Sequence, residues 1–157
     1  MLSTHGNSSS RKRPQTYILI GDGFDELEVV YCLHKFRQAG LSIKSVSLFD
    51  KIVYSRQGVG LKADYELADR PFDPSEDNLL ILPSGGRNGE VLRRDARVKS
   101  LLQALDGGKG HVAVTSNDSS LANDVGRLLS RPAYQPYFGQ DVSEFVDLLA
   151  EQVVPLS

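Results

Sequence analysis

The sequence predicts a doubly wound α/β domain, a mostly parallel sheet covered by helices on both faces. Three observations carry that expectation. The apolar runs 17–20, 79–82 and 111–115 have the length and continuity of strands buried on both sides. Each ends in a glycine-rich or polar cluster and is followed, at once or after a loop, by apolar residues at helical spacing. The chain of 157 residues is long enough to bury one such core and too short for two comfortable domains.

Each element can be justified in order. The run 17–20 stops at Gly21-Asp22-Gly23. Asp25 is placed to cap the following helix, with Glu26 and Glu28 in a first turn where the helix dipole favours acids. Leu27, Val30, Leu33 and Phe36 are expected to form its buried side, and Gly40 to end it. Residues 43–48 alternate as a second strand, and 52–54 with 61–65 read as a small hairpin around Gly58 and Gly60. The run 79–82 is broken by Pro83-Ser84-Gly85-Gly86. From Asp95 a helix places Val98, Leu101, Leu102 and Leu105 on one face until Gly107-Gly108. Strand 111–115 leads into a helix over 119–129, Pro132 and Pro136 mark a loop, and Val142, Phe145, Val146 and Leu149 pattern a last helix over 141–152.

Composition narrows the function. A net charge of -2 offers no strong field for nucleic acid or an anionic membrane, and no apolar run approaches the roughly 20 residues of a membrane span. Residues 1–15, with Arg11, Lys12 and Arg13 among small polar residues, read as a disordered tail, leaving 16–155 as the domain. The single cysteine, Cys32, excludes an internal disulfide and fits a cytoplasmic protein; at mid-helix it reads as a buried structural thiol. His34 and His111 lack metal-ligand spacing, so no metal is expected, and no cofactor. Gly21-Asp22-Gly23 is followed by acids that would repel phosphate, which argues against a phosphate loop.

In doubly wound sheets ligands sit at the carboxyl ends of the strands. Here those ends carry Gly23-Phe24-Asp25-Glu26-Leu27-Glu28 within 21–28, Pro83-Ser84-Gly85-Gly86 within 83–88, and 115–119, and on these residues the chain resembles the ThiJ/PfpI superfamily. Gly23-Phe24-Asp25-Glu26-Leu27-Glu28 is similar to that family's first acidic loop. Leu82-Pro83-Ser84-Gly85-Gly86, followed by Val91-Leu92-Arg93, is similar to its Pro-Gly-Gly loop, and 108–113 leads toward its nucleophile elbow. The resemblance implies a flavodoxin-like fold and a site made of Glu28, the amides of Gly85 and Gly86, and an elbow residue at Ser116. It further implies a homodimer or another protein partner.

The family's elbow carries a cysteine within a pattern like Ile-Cys-x-Gly-Pro. This chain reads Thr115-Ser116-Asn117-Asp118-Ser119 there and has no histidine after His111. A serine hydroxyl, unlike a thiolate, needs a positioned base, and Asp118 adds negative charge where an oxyanion would form. The expectation is an elbow that keeps its shape without its reaction: a pseudoenzyme serving as a binding or assembly module. Gly85, Gly86 and Asn117 are its candidate contacts to a small polar ligand. Two alternatives stand beside it: a residual hydrolase or glyoxalase/deglycase-like enzyme using Glu28 and Ser116, and a small-metabolite sensor. Glu28 is also explicable as a first-turn acid, 116–118 as a polar turn or helix cap, and Gly85-Gly86 as a tight turn. The region between the elbow helix and the last helix is shorter than the resemblance implies, and its Tyr134, Tyr137 and Phe138 are candidate interface aromatics.

Overall fold

The computed structural model describes residues 15–153; the basic run Arg11-Lys12-Arg13 lies outside them. The main sheet is built from β1 (Thr16–Ile20), β2 (Ile43–Ser47), β5 (Tyr65–Glu66), β6 (Leu79–Leu82) and β7 (His111–Val114), in the order β5-β2-β1-β6-β7. All its pairings are parallel, as apolar runs buried on both faces require. A separate antiparallel hairpin joins β3 (Ile52–Tyr54) to β4 (Gly60–Lys62). The helices are α1 (Glu26–Gln38), α2 (Asn88–Arg94), α3 (Ala96–Asp106), α4 (Ser120–Leu128) and α5 (Val142–Val153). Among the described residues no helix is long and apolar enough to cross a membrane.

Alternation along the strands divides the core in two. Tyr17, Leu19, Leu80, Leu82, Val112 and Val114 face α2, α3 and α4. Ile18, Ile20, Leu79, Ile81 and Ala113 face α1 and α5. From β1 the chain first moves outward to β2, then returns across β1 to β6 on its other side. The strand order therefore reverses between β1 and β6, which is where such a fold opens a crevice at its carboxyl ends.

The helix starts follow the expected chemistry. The Asp25 carboxylate caps α1 by accepting from the Leu27 N–H, Asp95 does the same for α3 at Arg97, and the Ser119 hydroxyl caps α4 at Ala122. Each satisfies an amide that would otherwise have no partner in the helix.

Two expectations need correction, and two features go beyond what the pattern marked. The buried face of α1 is Glu28, Val29, Cys32, Leu33 and Phe36, whereas Leu27 is 78% exposed and Val30 48%. Val29, Cys32, Leu33 and Phe36 make the better helical stripe once Cys32 counts as an apolar residue. The segment 61–65 is not one strand: β4 ends at Lys62 and Tyr65 joins the main sheet beside Val46. Asp64 turns the chain there, its carboxylate accepting from the amide and hydroxyl of Ser45. A helix, α2, follows the Gly85-Gly86 turn, where the glycines obscured any helical signal. Finally, the loop carrying Pro132 and Pro136 is partly ordered against the sheet, since Tyr134 exchanges two backbone hydrogen bonds with the β7 strand at Val112 and Val114.

Candidate functional site

The three strand-end loops converge at the β1–β6 crevice, and Asn88 holds two of them together. Its side chain is fully buried; its amide oxygen accepts from the Gly21 N–H at 2.6 Å, and its amide nitrogen donates to the carbonyls of Pro83 (2.7 Å) and Leu19 (3.3 Å). One side chain thus satisfies three backbone groups where the β1–β6 ladder has ended. Nothing in the local sequence pattern marked it.

Glu28 projects from the first turns of α1 into this crevice and is 8% exposed. Its Oε1 accepts from the Gly85 N–H at 3.0 Å. Burial pushes the Glu28 carboxyl above the usual glutamate range; the Gly85 amide and the Thr115 hydroxyl oppose that, neighbouring Asp25 adds to it, and Arg56 on the hairpin side also opposes it. Arg56 reaches the Asp25 carboxylate at 3.5 Å.

Gly86 is required by close approach, and Gly85 is tightly packed. A Cβ on Gly85 would stand 3.0 Å from both Glu28 carboxylate oxygens. Gly86 has φ +59°, and a Cβ there would meet the Gly23 carbonyl at 2.3 Å.

The hydroxyls form a connected set. The Ser84 N–H donates to Thr115 Oγ1 at 2.8 Å, the two side-chain oxygens lie 3.0 Å apart, and the Ser84 hydroxyl donates to Ser116 Oγ at 3.0 Å. Thr115 and Ser116 are thus joined through Ser84, whose neighbour Gly85 donates to Glu28. Asn117 is half-buried one residue further on. Burial distinguishes the two hydroxyl residues: Thr115, just past the end of β7, is buried, whereas Ser116 is half-buried.

The expected elbow shape is not present. Arg70 is the only described non-glycine residue with positive φ, so neither Thr115 nor Ser116 occupies the strained turn that projects a nucleophile. Thr115 is 2% exposed, and its oxygen already accepts from Ser84. Cys32, fully buried on α1, has its thiol pushed up to about 12 by burial and by the charge of Glu28. It cannot supply a thiolate near neutral pH. His111 opens β7 at the opposite end of the sheet, with its imidazole 3.7 Å from Asp77. Among the described residues no three His, Cys, Asp or Glu side chains gather as a metal site.

A model of the DJ-1/PfpI family matches residues 14–125. The chain is 31% identical over 88 residues to a deglycase of Thermococcus kodakarensis. That overlap covers 56% of this chain and 51% of the deglycase, so the chain spans about half the length of the curated relative it matches. Among solved structures, a DJ-1 superfamily protein of Salmonella typhimurium superposes with a TM-score of 0.73 at 15% identity, over 90% of each chain. DJ-1beta of Drosophila melanogaster superposes with a TM-score of 0.71 at 17% identity, over 90% of this chain and 91% of that one. Likeness at such identity speaks to the fold alone.

Proposed function

The chain belongs to the DJ-1/PfpI family, and from that premise we propose that it is a pseudoenzyme, a binding or assembly module that works without turnover. One observation carries this reading: at the end of β7 the site offers a buried threonine whose hydroxyl is already hydrogen-bonded to Ser84, with no thiolate or imidazole beside it. A secondary alcohol held this way lacks the base that would activate it. Its neighbour Ser116 meets only another hydroxyl, that of Ser84.

Assembly is supported by the apolar surface beside the site. Leu27 and Val30 of α1 are exposed, as are Tyr54 and Val59 of the hairpin. Backbone bonds from Gly23 to Tyr54 and from Arg56 to Phe24 tie that hairpin to the start of α1. Such a surface suits a second copy of the chain, in an isologous homodimer. Tyr137 and Phe138, 64% and 91% exposed, extend the possibilities to a further protein partner. Any small polar ligand would meet Gly85, Gly86 and Asn117. The free, buried Cys32 suits the reducing cytoplasm. We read 16–155 as the single domain that does this.

The similarity to a deglycase favours one competing reading, a residual deglycase- or hydrolase-like activity using Glu28 and Ser116. The test is turnover of methylglyoxal and of a small ester panel by the purified chain, beside Glu28→Gln and Ser116→Ala. The expected result is no turnover above buffer in any of the three. Turnover by the wild-type chain that both substitutions abolish would overturn the pseudoenzyme reading.

A further inference from the structure

We infer that the cleft at the carboxyl ends of β1 and β2 is a binding site for a small apolar amine, distinct from the Glu28 site. The cleft, of about 320 Å³, opens between the exit of β1 at Gly21 and Asp22 and the exit of β2 at residues 48–50. Its floor is apolar: Ile20, Leu48 and Val53 are buried, and Val91 of α2 closes one side. Both its position and its size suit a small molecule, since doubly wound sheets bind ligands outside the carboxyl ends of their strands.

The walls say which molecule. Phe49 lines the cleft with 67% of its surface exposed, an unusual placement for so large an apolar ring. The ring is braced: the Arg97 guanidinium lies over it at 4.7 Å, and the same guanidinium donates to the Leu48 carbonyl at 2.8 Å. Asp95 pairs with Arg97 through both carboxylate oxygens, so that cation is already matched. The charged groups lining the cleft are two acids, Asp22 and Asp50, both exposed. Asp22 uses one carboxylate oxygen to accept from the Tyr54 N–H at 3.1 Å. Lys51, the nearest cation in sequence, turns its ammonium to the Asp64 carbonyl at 3.3 Å.

An apolar floor, an open aromatic ring and two carboxylates complement an ammonium on a short apolar body. The body would cover Ile20, Leu48 and Val91. The ammonium would take the field of Asp22 and Asp50 and, beside Phe49, the attraction of a ring face. A carboxylate of the same shape would be repelled, and a neutral alcohol would gain the apolar contact alone.

The experiment is an NMR titration of the full chain with phenethylamine, phenethyl alcohol and phenylacetate. The expected result is saturable shifts at residues 20–22 and 47–50, with the amine bound at least about tenfold more tightly than the alcohol and the acid not bound. Asp22→Asn and Asp50→Asn should each weaken the amine severalfold while leaving the rest of the spectrum in place, because Asn at position 22 still offers Tyr54 an oxygen. Equal binding of amine and alcohol, no saturable shift, or shifts centred on Glu28 and Gly85 would each overturn the assignment. The Glu28 reading stands or falls separately, on turnover.

Discussion

The Gly85 N–H donates to the Glu28 carboxylate at 3.0 Å, so the loop that follows β6 meets the start of α1 across the crevice. The Ser84 hydroxyl of the same loop lies 3.0 Å from the side-chain oxygens of both Thr115 and Ser116, so one residue gathers both hydroxyls at the end of β7.

Thr115→Val keeps the shape of the side chain and removes its hydroxyl. The Ser84 amide loses its acceptor and the Ser84 hydroxyl loses a partner, both at a nearly dry position. The expected loss is about 1–3 kcal/mol in urea denaturation. Ser116→Ala, which removes one contact at a half-buried position, should stay within about 0.5 kcal/mol of the wild type.

Glu28 should leave a signature in the pH dependence of stability. Its carboxyl is raised in the folded chain, so the folded state holds that proton more tightly than the unfolded state. This contribution is fully present below the unfolded glutamate pKa of about 4.3 and is lost as pH rises through the raised folded value. Glu28→Gln keeps an oxygen for Gly85 and has no proton to lose. Urea midpoints measured from pH 4 to 8 should show a variant that gains on the wild type as pH rises. A constant difference would contradict the raised carboxyl. Asp95, Asp106 and Asp124, whose carboxyls are lowered by their partners, act with the opposite sign and are common to both proteins.

Gly86→Ala places a side chain on a left-handed backbone and drives it toward the Gly23 carbonyl. Because the obstacle is backbone, relief requires the two loops to separate. A loss of more than about 2 kcal/mol is expected by thermal or chemical denaturation.

Leu27→Glu tests the assembly surface. Leu27 is 78% exposed, so the change should leave the circular dichroism spectrum and monomer stability nearly unaltered. Sedimentation velocity should show a dimer for the wild type and a monomer for the variant. A wild-type monomer at high concentration would remove the homodimer from the proposal.

The parallel sheet was legible in the sequence because β1, β6 and β7 are short uninterrupted apolar runs, a pattern that only burial on both faces rewards. The caps Asp25 and Asp95 were legible because a carboxylate before a helical stripe has one good use there. Glu28 and Gly85 could be singled out as site candidates, but their contact across 57 residues of chain depends on the fold. The hydroxyl set of Ser84, Thr115 and Ser116 was obscured because it joins residues more than 30 apart in sequence and forms only when β6 and β7 lie side by side. Asn88 was hidden because its three partners are backbone groups of residues 19, 21 and 83, which carry no sequence signature.

That same Asn88 amide makes the two loops one mechanical unit. A loop that opens alone leaves its own backbone groups and a buried side-chain amide without partners at once, so neither loop can fray by itself at low cost. Motion at this end of the sheet is thus cooperative, and the Gly21 amide belongs with the slowest-exchanging class, released when the strand ends come apart together. Any ligand or partner arriving there meets a preformed surface, and binds without first having to order it.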